Sequence, residues 1–467
     1  MKLDINEIHI DMNYYRIIPF AVIAIMLCAC SSTRSRLSGN PSEVLDTDVY
    51  NKLQQKYKII KNFQEGTAIV KIDKYGLIDD NGKEILPCEY DSIYGVRKCF
   101  RIIVKDSQYG VVNIDGKIIK QCIYRDAYDA RCSYIALRTN DKWGLADSLG
   151  KDVTQYKYEK LIYYDDTSFV AQYNGFWGVC DYKGNTLIPF KYDEINYKWV
   201  EKCPVTVVKL GEFYGLYNSK NELVLECEYG RMYADSSGYL AVKKNMPNNT
   251  TKCALIEEET GKIMIPFEYT DMMSYSEGLV AVENVNGKWG FLDVNGKIVI
   301  PFIYDGAGNF SEGLAVVQKI SGYVYHSLWG KTPTYQAGYI DKKGTVIIPI
   351  KLPAFGGSII NSEFHEGLAI QAVSKHPLVA EKYGYIDKKG NWAIIPLYDE
   401  ARQFEKGIAE VVIDEKYGYI NLKGDQIIPC SYDKYGGVYV NDSTIEMTKD
   451  GKKYYFNYNG RAVSNPE

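Results

Sequence analysis

The amino-acid sequence predicts an all-β protein, a tandem array of about eleven antiparallel β-meander repeats of roughly 34 residues each. Three observations predict it. An aromatic–glycine step recurs at Tyr75-Gly76, Tyr109-Gly110, Trp143-Gly144, Trp177-Gly178, Tyr214-Gly215, Trp289-Gly290, Tyr383-Gly384 and Tyr417-Gly418. Gly76, Gly110, Gly144 and Gly178 stand 34 residues apart, as do Gly384 and Gly418. A turn follows each step at a constant offset, and the two residues after the glycine are apolar. A further step at Ala337-Gly338 and two weaker copies at Cys253-Ala254 and Lys453-Tyr454 complete the eleven.

One copy, Lys288 to Asp305, reads KWGFLDVNGKIVIPFIYD. Its turn, Asp293-Val294-Asn295-Gly296, has counterparts at Asp79 to Gly82 and Asn421 to Gly424. Asp or Asn at the first position can bond the amides ahead of it, and the glycine can take positive φ, which makes a short hairpin. Pro301, Pro189, Pro266, Pro349 and Pro429 are expected to end the second hairpin strand, since proline cannot continue a ladder. Upstream, Phe63-Gln64-Glu65-Gly66 and Phe310-Ser311-Glu312-Gly313 open a further strand. A Tyr-Asp-x-apolar segment, as at Tyr90 to Ile93 and Tyr192 to Ile195, supplies a fourth. Together these make a meander. Leu77 and Ile78, or Phe291 and Leu292, point to opposite faces of the central strand. Both faces are therefore expected to be covered by neighbouring copies.

These units resemble the bacterial WG-repeat lipoprotein family, named for the step present here at Trp143, Trp177 and Trp289 and softened to Tyr-Gly elsewhere. The resemblance spans residues 50–463. It implies an all-β repeat protein with no common catalytic residues and no settled ligand. The last copy, Gly451 to Gly460, is also similar to the aromatic hairpins of choline-type cell-wall-binding repeats. Tyr50-Asn51-Lys52-Leu53 matches the Tyr-Asp-x-apolar segment missing after the last copy, as in a ring that locks by joining its ends. Eleven copies exceed the roughly 4–8 blades of propellers, and an open twisted superhelix is favoured over a closed propeller-like ring.

At the N-terminus, Ile17 to Leu27 is an apolar run too short to span a bilayer and long enough for a signal-peptide core. Leu27-Cys28-Ala29-Cys30 is similar to a bacterial lipobox, which implies lipidation at Cys30; an ordinary cleaved signal is the alternative. Residues 1–30 are expected to be a lipoprotein signal peptide, with Met12 as a second candidate start. Residues 31–45 read as a flexible tether and 46–467 as the repeat array. In related lipoproteins an acidic stretch just after the cysteine favours export to the outer face; Thr33 to Arg36 is basic here, so the resemblance implies the periplasmic side of the outer membrane over the cell surface.

The remaining residues point away from catalysis. No GxSxG, HExxH or CxxC motif surrounds His326, His365 or His376, so no enzyme activity, cofactor or metal is expected. One Asp per turn is too few for a repeat calcium site. A net charge of −4 and a pI near 5.8 disfavour nucleic acid. Of 11 cysteines, Cys88, Cys122, Cys227 and Cys430 share the slot of Phe190, Phe267 and Phe302, which reads as core. A Cys88–Cys122 disulfide is the alternative. The longest interval carries an insertion, Ile320 to Gln336, whose Tyr323, Tyr325, Trp329 and Tyr335 form a candidate binding loop. A second insertion runs from Lys351 to Phe364. The expected function is a membrane-anchored, non-enzymatic repeat scaffold that binds a protein or glycan partner in the cell envelope. The alternative is a carbohydrate- or peptidoglycan-binding lipoprotein.

Overall fold

The computed structural model describes residues 38–464, apart from 98–99, 131–133, 164–166, 197–204, 234–236, 247–249, 327–329, 355–362, 374–380, 434–437 and 442–443. The turns form as their chemistry requires. Asp293 Oδ1 accepts the amides of Asn295 and Lys297 at 2.9 and 3.0 Å, and Asp79 and Asn421 hold their turns identically. In the four-stranded sheets such a turn joins the third and fourth strands.

The described residues form eleven antiparallel sheets with strands in chain order, spanning 59–90, 92–124, 126–147, 160–192, 194–229, 231–269, 271–304, 306–354, 368–398, 400–432 and 438–463. We number them 1 to 11. The chain divides into two compact units, Met1–Lys191 and Tyr192–Glu467, with the boundary at the end of sheet 4. Within each unit every sheet packs face to face on the next. In sheet 7, Phe291 joins Ala281 and Ile300 in a cluster shared with Ala307, Phe310 and Val317 of sheet 8. Its neighbour Leu292 joins Val280 and Val282 in a separate cluster with Ala241, Leu255 and Ile265 of sheet 6. Both residues are fully buried. The paired apolar positions after the glycine thus feed two cores, one on each side.

Two features differ from the sequence expectation. The proline does not end its strand, because Pro301 lies inside Ile298–Tyr304 and Pro87 inside Glu84–Tyr90. The register jumps there: Trp289 faces Tyr304 while Phe291 faces Ile300. The surplus residues form a bulge, where proline's missing N–H has no ladder bond to break. The bulge also explains the invariant step. A Cβ on Gly290 would lie 2.8 Å from Ile300 O, and one on Gly384 would lie 2.5 Å from Ile394 O. Glycine clears the bulged backbone at these steps, and sheet 6 carries the same bulge over Ala254, the smallest alternative. The Tyr-Asp-x-apolar segment is likewise split. Tyr90 ends sheet 1 opposite Tyr75, and Ser92 begins the first strand of sheet 2.

The N-terminal segment is the second correction. The expected tether 31–45 is helical at its described end: α1 (Pro41–Val44) is capped by Asn40, and Leu45 is buried. Residues 1–37, including Cys30, lie outside the described part. Tyr50 to Leu53 is not a strand but part of α2 (Thr47–Lys56), N-capped by Asp46. Asp before a run of good helix formers starts a helix, and a Tyr-Asp-like tetrapeptide is too short to outweigh it. The first strand of sheet 1 is instead Ile59–Ile60. Leu45, Leu53 and Tyr57 cover Phe63, Ala68, Val70 and Ile78. Helix α2 also takes the place of a preceding copy's edge strand, with Val49 and Leu53 against Gly82. It is a cap of the kind repeat arrays need at an end, and residues 50–53 no longer argue for ring closure. Leu53→Ala is expected to cost about 2–3 kcal/mol. Hydrogen exchange should show lost protection in sheet 1 and none lost in sheets 6 to 10.

Candidate functional site

Polar ties join successive sheets and hold the scaffold on which any site must sit. In four copies the lysine before the aromatic–glycine step pairs with the aspartate that follows the closing tyrosine. Lys74–Asp91, Lys288–Asp305, Lys382–Asp399 and Lys416–Asp433 lie 2.5 to 3.0 Å apart. The second carboxylate oxygen accepts an amide from the next sheet: Asp106 to Asp91, Ile320 to Asp305, Asp414 to Asp399 and Asp450 to Asp433. A second ladder runs through the two-residue turns between first and second strands. Glu277, Glu312 and Glu366 adopt positive φ there, and their carboxylates accept the amides of Gly313, Gly367 and Gly407 in the next sheet. Both ladders were present in the sequence as a constant Lys…Asp spacing and a recurrent Glu-Gly. Their charge pairing showed only once the sheets were stacked.

The aromatic insertion is not a loop. Strands Leu314–His326 and Gly330–Asp341 pair continuously from Leu314 opposite Asp341 to His326 opposite Gly330, with one irregularity near Ser321. The first strand of sheet 8 reaches only to Gly306 opposite Gln318, and the fourth only to Tyr335 opposite Ala354. Beyond these points the two strands continue as a bare ribbon, about 20 Å long at the usual rise per residue. The alternation in Tyr323-Val324-Tyr325 and Thr332-Pro333-Thr334-Tyr335 is a strand signal that a loop reading passes over. The second insertion begins the same way, since Lys351 to Ala354 belong to the fourth strand and Phe364 is buried against Tyr339.

The ribbon brings three of the four candidate residues to one face. Tyr323 lies opposite Pro333 and Tyr325 opposite Lys331, and Tyr335 shares their face by alternation. Tyr325 is 76% exposed and Tyr323 50%. Tyr335 is half-buried at the base, where it packs against the core of sheet 8, and burial raises its phenol pKa. Trp329, the fourth candidate, lies outside the described residues. Lys331 went unnoticed in the sequence. Its ammonium sits 3.8 Å from the centre of the Tyr323 ring, within cation–π range. The face therefore offers two exposed aromatic surfaces and one cation, and no carboxylate stands on the ribbon between Leu314 and Ile340. Such a surface can stack on a ligand and pair with its negative charge.

The cysteine slot proves to be part of the bulge. Cys88, Cys122, Cys227 and Cys430 are half-buried at the step glycines, and Cys88, Cys122 and Cys430 pack against the neighbouring core clusters. Cys88 and Cys122 are not joined. Burial raises both thiol pKa values.

Stacked antiparallel meanders, most of them four-stranded, a glycine or alanine under the bulge and a helical cap define a β-repeat scaffold. The profile of the WG containing repeat matches residues 75–98, 109–143, 177–203, 214–245, 258–289, 289–319, 338–370, 383–417 and 417–452. The chain belongs to the WG-repeat family. No curated protein sequence matches it. Solved structures with some likeness include Kluyveromyces lactis Hsv2p, at 11% identity and a TM-score of 0.21, covering 52% of this chain and 94% of that one. BamB from Moraxella catarrhalis has 10% identity and a TM-score of 0.22, covering 56% and 90%. The extracellular domain of a one-component system from B. thetaiotaomicron has 9% identity and a TM-score of 0.26, covering 88% and 77%.

Proposed function

We propose that this protein is a non-enzymatic repeat scaffold of the bacterial cell envelope, anchored through lipid on Cys30, that binds a protein or glycan partner through the ribbon of sheet 8. The periplasmic side of the outer membrane is the favoured location. The observation that carries the proposal is the exposure of Tyr323 and Tyr325 on a ribbon that projects past the other strands of its sheet. Exposed tyrosines presented rigidly, with little side-chain entropy to lose, are typical contact residues of binding surfaces. A carbohydrate- or peptidoglycan-binding lipoprotein is the second reading, favoured by the same rings, whose faces can stack on sugars.

Crosslinking in intact cells tests the first reading, and retention on insoluble peptidoglycan together with a glycan array tests the second. Replacing Tyr323 and Tyr325 together by alanine should weaken capture by about 30-fold or more, the loss typical of a hot-spot pair. Undiminished capture by every route would remove the ribbon from consideration. Separately, Cys30→Ala should release the protein from the membrane fraction, and retention there would refute the anchor.

A further inference from the structure

The closing strand is an outer edge of each sheet, and in sheets 1, 4, 5, 6, 7, 8 and 9 its first and sixth positions are exposed. In sheet 1 these positions hold Glu84 and Glu89, and in sheet 5 the sixth holds Glu228. The fold therefore accepts carboxylates there. In sheet 7 the same positions hold Ile298 and Ile303, and in sheet 9 Trp392 and Leu397, each roughly half exposed. Sheet 8 between them exposes Val346. The three strands are neighbours in the stack, because the turn glycines Gly344 and Gly390 rest on Ile300 and Ile348 of the preceding sheet. At the usual sheet spacing the patch extends about 20 Å across the stack. Exposed apolar surface of this extent on one face marks an interaction site.

Two further observations identify the occupant. A bulge and an exposed proline (Pro301, Pro349) interrupt the edges of sheets 7 and 8, and Pro396 occupies the same stretch of sheet 9. This blocks addition of a partner strand, so side chains must make the contact. The charge at this place is also inverted. The turn and edge strand of sheet 8, residues 341–354, contain three lysines and one acidic residue, Asp341, a local charge of +2 in a chain whose net charge is −4. The fourth strands of sheets 7, 8 and 9 contain no Asp or Glu, and Lys297, Lys343, Lys351 and Lys389 stand exposed at their ends or on them. Lys343 and Lys389 act on Asp341 and Asp387 of their own turns without a direct ion pair, and their ammonium groups stay open to solvent. Separate aliphatic side chains and a tryptophan, rimmed by lysines on a row of edge strands, match the boundary between phospholipid headgroups and acyl chains.

We propose that the edge strands of sheets 7 to 9 dock on an anionic phospholipid surface, so that the array lies against the membrane. This surface is distinct from the ribbon face that captures a partner. The experiment uses the full-length chain reconstituted in vesicles of brominated phosphatidylcholine with about 30% phosphatidylglycerol. Subtracting the fluorescence of a Trp392→Phe variant isolates the signal of Trp392. Docking should quench that signal at least two-fold. Removing phosphatidylglycerol, or combining Lys343→Gln, Lys351→Gln and Lys389→Gln, should weaken the quenching at least ten-fold as read from its lipid dependence. Tyr323→Ala with Tyr325→Ala should leave the quenching unchanged, and the lysine variants should leave partner capture unchanged, so the two proposals fail separately. An unquenched Trp392 in the anchored chain would overturn the proposal. So would quenching indifferent to lipid charge and lysines, or a patch buried in a dimer that Leu397→Ser dissolves.

Discussion

Gly384→Ala is expected to destabilise the array by about 3 kcal/mol, at the upper end of the usual overpacking cost. The added Cβ would stand 2.5 Å from Ile394 O and 2.8 Å from both Ile395 C and Pro396 N. All three are backbone atoms, so no side chain can swing aside. Relief would require pulling the bulge off the third strand, which breaks the pairing of Tyr383 with Tyr398. It would also move Ile394 and Tyr398 out of the core shared with sheet 10. Gly230→Ala is the control, because a Cβ there meets nothing within 4 Å. Its effect should stay within about 0.5 kcal/mol. Urea denaturation followed by tryptophan fluorescence, with hydrogen exchange to localise the damage, makes the comparison. Equal shifts for the two variants would mean that the glycine serves something other than bulge clearance.

The second large effect concerns acid. Hydrogen bonds from Lys382, then from the Asp414 amide, hold the Asp399 carboxyl below the usual carboxylate range. Lys416 and the Asp450 amide do the same for Asp433. At Asp305 burial opposes ionisation, but Lys288 and the Ile320 amide outweigh it and the pKa is again lowered. A carboxyl depressed in the folded chain stabilises it above its unfolded pKa, and that contribution vanishes as pH falls through the folded value. The melting temperature should therefore be level at neutral pH and fall below about pH 4. Because each clasp joins one sheet to the next, several are lost in the same window. Asp305→Ala should cost about 2 kcal/mol at pH 7, the scale of charge-assisted hydrogen bonds. It should also flatten the acid limb, because the group that titrates is gone. An acid limb as steep in Asp305→Ala as in the parent would show that other groups cause it.

Much of the repeat was legible because its signals are local. The Asp-x-x-Gly turns, the paired apolar positions and the 34-residue spacing each depend on residues close in the chain, and each appears in the structure as expected. The misreadings share another cause. Pro301 looked like a strand end because a ladder was assumed to run without a bulge. The Tyr323 to Tyr335 segment looked like a loop because its length broke the period. Tyr50 to Leu53 looked like a strand because four residues matched a motif that ten residues of helix overrule. In the first two cases the deciding partner lies elsewhere in the fold, and in the third it is the cap and length of the surrounding helix.

The sequence by itself determined that the chain is a run of β-meanders, where each turn falls, and which residues face a core, since turn chemistry and strand alternation act over a few residues. Tertiary structure alone decided that the step glycine underlies a bulge, that α2 seals the first sheet, and that Lys288 and Asp305 clasp one sheet to the next. It alone set Tyr323, Tyr325 and Lys331 on one face of a projecting ribbon. Those outcomes depend on atoms brought together by stacking, and a linear string carries no distance between them until the sheets have met.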